Sequence, residues 1–195
     1  AQGRLHVLSA QQLTRLLLAR GRALEALPIA ELLIRRHPRS AVAHIEWIRV
    51  RAAMERANLD PPREGAVIKP FDSAYTLAKN LAASVDNDVV FRPIMLETAL
   101  AGGRLDDAHH LIEAMLASDE TPIQDFLLMA QLVSRENSLP ATSGILVRIA
   151  ARARERELGQ RSLDAIAVLQ ALQLRRDGEY EASGRFIETY FSGRT

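Results

Sequence analysis

Three segments of this chain carry the same short signal. Gly21-Arg22-Ala23-Leu24-Glu25-Ala26-Leu27, Gly103-Arg104-Leu105-Asp106-Asp107-Ala108 and Gly178-Glu179-Tyr180-Glu181-Ala182-Ser183 each begin with a glycine that closes one apolar helical pattern. Each then places a small residue five positions on, at Ala26, Ala108 or Ser183. Glycine enters the left-handed conformation that ends a helix without a Cβ penalty. A small residue one turn into the next helix lets two antiparallel helices approach closely, where a larger one would wedge them apart. A chain that repeats this device is committed to helical hairpins. The later apolar positions, such as Leu33, Ile112 and Ile187, pack back on the first helix and forward on the next pair.

The intervening sequence reads the same way. Ser9, with Gln12 three residues on, is placed as the N-cap of a first helix that stops at Gly21. Leu24, Leu27, Ala30, Leu33 and Ile34 mark a second, with Pro28 in or just after its first turn and Pro38 beyond its end. Ser40 opens a third through Ile45, Trp47, Ile48 and Met54. Residues 58–70 contain Asp60-Pro61-Pro62-Arg63-Glu64-Gly65 and Pro70, and form an irregular insertion. Asp72 or Ser73 caps a fourth helix from Tyr75 to Val85, broken by Asp86-Asn87-Asp88. A fifth runs from about Val89 to Leu100 with Pro93 in its first turn, and a sixth from Leu105 to Leu116. The seventh runs from Ile123 to near Asn137, and the eighth from about Pro140 to Glu157, ended by Gly159. The ninth spans Leu163 to Leu174 and the tenth Glu179 to about Phe191. These make about five antiparallel pairs in a single domain over residues 1–195.

Composition agrees. Alanine, leucine, arginine and glutamate dominate, and aromatics are 5% of the chain, too sparse for a large sheet. A net charge of +1 with 48% hydrophobic residues excludes a disordered chain and gives no whole-protein attraction to nucleic acid or an anionic membrane. No apolar run is long enough to span a bilayer. The absence of cysteine excludes disulfides, a thiol nucleophile and cysteine-ligated metal centres, but leaves the compartment open between cytoplasm, slightly favoured, and periplasm. Only Lys69 and Lys79 are lysines; the predominance of arginine reads as coding bias.

The hairpin segments resemble the tetratricopeptide repeat, a helix-turn-helix unit of about 34 residues. The copy from Val7 to Ser40 matches at Leu13, Leu17, Gly21, Ala26 and Pro38. It departs at Ala10, Thr14, Ala23 and Ala30, where the family favours aromatic or smaller residues. The copy around Gly103 keeps Leu105, Ala108 and an apolar Ile112; that around Gly178 keeps Tyr180, Ser183 and Ala171. The resemblance implies an all-α, right-handed α-solenoid whose first helices line a concave groove that binds peptide segments. Carried onto this chain, the groove includes Gln11, Arg15 and Leu18, then Ile45, Arg49 and Ala52, then Val90, Glu97, Leu127 and Gln131. The lysine/asparagine clamp by which some members hold a chain-terminal carboxylate is replaced by Gln11 with Arg15 and Ile45 with Arg49. That disfavours a chaperone-tail adaptor.

Marks of chemistry are sparse. Asp106 with His110, or His109 with Glu113, stand one helical turn apart as metal ligands would, but acidic residues in a first turn also complement the helix dipole. His6, His37 and His44 have no carboxylate or nucleophile at motif spacing. There is no phosphate loop, G-x-S-x-G elbow or H-E-x-x-H motif. Neither a cofactor nor a metal is expected, and the chain reads as a non-enzymatic protein-interaction module of bacterial type. Two other functions stay open: an accessory domain of a larger enzyme or export machine, such as a glycosyltransferase or polysaccharide-secretion component, and nucleic-acid binding. The latter would use Arg148, Arg152, Arg154, Arg156 and Arg161, and is disfavoured because Glu155 and Glu157 interleave with them and no aromatic platform accompanies them. Phe186, Tyr190 and Phe191 on the last pair offer a face for a homodimer.

Overall fold

In a computed structural model, residues 7–57, 59, 74–84, 88–136 and 139–192 are described, and among them the chain is all-helical. The helices are α1 (Val7–Ala19), α2 (Ala23–Arg36), α3 (Ala41–Arg56), α4 (Ala74–Ala83), α5 (Arg92–Ala101, after a 3-10 turn Asp88–Phe91) and α6 (Leu105–Ala117). They continue with α7 (Asp125–Arg135), α8 (Thr142–Glu155), α9 (Gln160–Arg176) and α10 (Tyr180–Phe191). Apart from Leu59, the 58–70 insertion lies outside the described residues, as do Asp72, Ser73, Val85 and Asn137.

The chain divides into two compact units, Ala1–Arg104 and Leu105–Thr195. In the first, α1 packs on α2, α2 on α3, and α1 also on α3; the relation recurs for α3, α4 and α5. In the second, α7, α8 and α9 repeat it, α10 packs on α9, and α6 lies against α8. Within each unit, an odd-numbered helix therefore touches both its neighbour in sequence and the next odd-numbered helix. That explains why most of these helices are apolar over more than one stripe.

Two clusters form most of the first unit's core: Leu17, Leu27, Val50 and Met54 with the alanines of α2, and Ile48, Phe91 and Ile94 with the alanines of α4. Half-buried Trp47 packs against both. Ala26, Ala108 and Ser183 are all buried, as the hairpin signal requires. The Ser183 hydroxyl also donates to the Ala171 carbonyl across the last hairpin at 2.9 Å.

The three glycine turns share one geometry. Gly21, Gly103 and Gly178 have φ of 71°, 67° and 84°. In each, the next residue's N–H reaches back to a carbonyl five residues earlier: Arg22 to Leu17 at 2.9 Å, Arg104 to Ala99 at 2.8 Å, Glu179 to Leu174 at 2.8 Å. This closure satisfies carbonyls that a helix end leaves unpaired.

Several helix ends differ from expectation. The first helix already includes Val7, so Ser9 lies inside it and is no cap; Val7 packs against the Ala10–Leu33–Ala43 cluster. Gly159 does not end the eighth helix. Glu157 takes the left-handed position (φ 58°) and Leu158 N–H closes the turn on the Ala153 carbonyl at 2.9 Å. Gly159, at φ −55° and ψ 143°, instead precedes α9. Leu158 is buried, which fixes where this turn closes. Ile123 lies in the turn before α7, and Pro140 precedes α8. Ser40 caps α3 as expected, accepting from Ala43 N–H at 3.4 Å. The first N–H of α4, at Ala74, is satisfied by Glu55 of α3 at 2.8 Å.

Candidate partner-binding face

Glu46 is a charged residue where α3 otherwise buries Ala43 and Val50, and its side chain is fully buried. One carboxylate oxygen, Oε1, accepts from Gln11 Nε2 at 3.1 Å, Arg15 Nε at 3.0 Å and Arg49 Nη1 at 2.8 Å, and Arg15 Nη2 lies within ion-pair distance of it at 3.0 Å. Arg49 Nε also reaches Glu97 Oε2 at 3.5 Å. Helical spacing assembles the donors: Gln11 and Arg15 are one turn apart on α1, and Arg49 follows Glu46 by one turn on α3. The result is a row of alternating charge across α1, α3 and α5.

The row is not fully satisfied. Among the described residues, Glu46 Oε2 and Thr14 Oγ1 are buried without a hydrogen-bond partner. The Arg15 side chain is 55% exposed, against 22% for Arg49 and 23% for Glu97. The buried acid thus holds two guanidinium groups in place, and Arg15 is the more open of them.

Of the groove residues read from sequence, the structure brings together Gln11, Arg15, Arg49 and Glu97. Leu18 and Ile45 are half-buried and pack against the first and second clusters respectively. Gln131 is half-buried on α7 in the second unit, where its carbonyl accepts from the Ser134 hydroxyl at 3.1 Å. Glu46, the residue that unites the row, was missed; the available signal was a lone acid at a position of the apolar stripe.

The α8 arginines are drawn into ion pairs. Arg148 forms a two-pronged pair with Glu113 of α6, both contacts 2.6 Å, and these bonds hold the Glu113 carboxyl below its ordinary range. Arg152 meets Asp119 at 2.5 Å and Glu155 at 3.0 Å, Arg156 lies 3.8 Å from Asp119, and Arg154 stands 5.7 Å from the Tyr190 ring centroid. His109 Nε2 is 3.9 Å from Glu113, whose oxygens are already committed to Arg148. Among the described residues no group of three His, Asp or Glu side chains is placed to hold a metal ion. Burial raises the Asp125 carboxyl at the start of α7. On α10, half-buried Phe186 stacks on Tyr190 and Phe191 meets Tyr190 edge-on, the Tyr190 hydroxyl donates to Asp164 at 3.2 Å, and Tyr180 and Ile187 are exposed. No helix among the described residues is long and apolar enough to cross a membrane.

No protein-family model matches this chain, and neither does any curated protein or solved structure.

Proposed function

We propose that the chain is a non-enzymatic interaction module of stacked, tetratricopeptide-like helix pairs forming a right-handed α-solenoid, and that it binds a peptide segment of a partner protein on the α1–α3–α5 face. The observation that carries this reading is the row Arg15–Glu46–Arg49–Glu97. A buried carboxylate fixes arginine side chains from two helices at one surface, which pre-organises them for a partner and lowers the ordering cost of binding. The packing of odd helix on odd helix supports the stacked-pair architecture. Nucleic-acid binding is the weaker reading, because Glu113, Asp119 and Glu155, the partners of Arg148 and Arg152, are themselves 37%, 86% and 63% exposed and would repel phosphates at the same surface, whereas Glu46 is buried beneath its arginines.

The test is selection of a displayed library of random 16-residue peptides on the immobilised chain, with Arg15→Glu as counter-target. Helix content and melting are followed for both proteins to establish that the variant is folded. Enriched clones that lose binding to Arg15→Glu are the expected result. Absence of enriched clones, or equal binding to both proteins, would refute the reading.

A further inference from the structure

The charged row has an apolar companion. Leu8, Val42 and Val90 are 62%, 39% and 40% exposed, and each stands seven residues before a member of the row: Leu8 before Arg15, Val42 before Arg49, Val90 before Glu97. Seven residues return a helix to the same face within about 20° and move along it by about 10 Å. In α1 and α3 the spacing is purely helical; Val90 belongs to the 3-10 turn that leads into α5. A single exposed leucine or valine is ordinary. Three at one offset from three side chains tied in a row form a second row, because α1, α3 and α5 alternate with helices that return against them.

We infer that the partner segment is two-edged, with apolar side chains along one edge for Leu8, Val42 and Val90 and acidic side chains along the other for Arg15 and Arg49; this rests on the proposed peptide-binding role of the face. The acidic preference follows from the donors. Arg15 spends Nε on a hydrogen bond to Glu46 with Nη2 in ion-pair contact with the same oxygen, and Arg49 spends Nε and Nη1 on carboxylates of the chain itself. Arg15 Nη1 and Arg49 Nη2 make no hydrogen bond among the described residues, and both guanidinium groups are anchored on the same oxygen of Glu46. An Asp or Glu side chain is the acceptor that completes such a pair with charge-assisted bonds. Glu97 closes the row at α5, so the acidic residues belong over α1 and α3 and a neutral or basic residue over α5.

Sequencing the clones selected above, and measuring their affinities by fluorescence anisotropy, tests this. The clones should combine apolar residues with Asp or Glu. Replacing those acids by Gln in the peptide should weaken binding at least tenfold, as should Leu8→Ser or Val42→Ser in the protein, and affinity should fall with added salt. Clones that need Arg15 yet carry no acidic residue, or that bind Leu8→Ser and Val42→Ser unchanged, would overturn the two-edged segment and leave the peptide-binding face standing. If no clone depends on Arg15, both fall. The acid-to-Gln substitutions lie in the peptide, so their outcome does not depend on the folding of any protein variant.

Discussion

In the first unit, arginine–carboxylate pairs join the odd-numbered helices α1, α3 and α5 around a carboxylate with no exposed surface. In the second unit they join the even-numbered α6 and α8 through Glu113, and tie α8 to the turn after α6 through Asp119, with side chains 37% and 86% exposed. The chemistry is the same and the consequence differs. A solvated pair exchanges water for a partner of nearly equal worth, so it can be lost cheaply. A buried carboxylate must keep its partners, because removing one side leaves charge without compensation. The first unit has therefore fixed the positions of its surface arginines, and the second has merely fastened two helices.

The sharpest way to break this contrast is to remove the buried acid. Glu46→Ala should destabilise the chain by about 3 kcal/mol in urea unfolding, since it opens a cavity and strands Arg49 half-buried. Glu113→Ala should shift the unfolding midpoint far less. Equal shifts would erase the distinction between the two networks.

The turns offer a second, smaller comparison. Gly178 at φ 84° meets no atom within 4 Å of a built Cβ, so Gly178→Ala tests backbone conformation alone and should cost about 1 kcal/mol. Glu157 occupies the equivalent position of the α8–α9 turn with a side chain, at φ 58°. Glu157→Gly should accordingly stabilise by about 1 kcal/mol, measured by the same unfolding midpoint. If Glu157→Gly destabilises, the two turns are not equivalent.

The smallest effect concerns Asp125. Burial raises its folded pKa above the unfolded value, so the folded chain is favoured below the ordinary aspartate range, and that advantage is lost as pH rises through the raised value. Asp125→Asn should raise the melting temperature slightly near neutral pH, and the gain should vanish in acid. A gain that persists at low pH would assign the effect to something other than charge.

The hairpins were legible because their determinants are local. A glycine and a small residue five positions later specify Gly21/Ala26, Gly103/Ala108 and Gly178/Ser183 from within one turn of chain, and Ser40 marks a helix start just as locally. Gly159 misled because the left-handed position went to Glu157, where burial of Leu158 outweighed the glycine preference. Gln11, Arg15, Arg49 and Glu97 were reached through the family resemblance. Glu46 was not, since its donors on α1 lie 31 and 35 residues away and no spacing in α3 announces them.

The most direct measurement is backbone amide NMR mapping of one selected peptide titrated into the full chain. Shift changes should gather in α1, α3 and the Asp88–Ala101 segment, led by residues around Arg15 and Arg49, and leave α8 and α10 unmoved. Changes centred on α8 around Arg148 and Arg152, or on α10 around Phe186 and Tyr190, would contradict the assignment of the binding face.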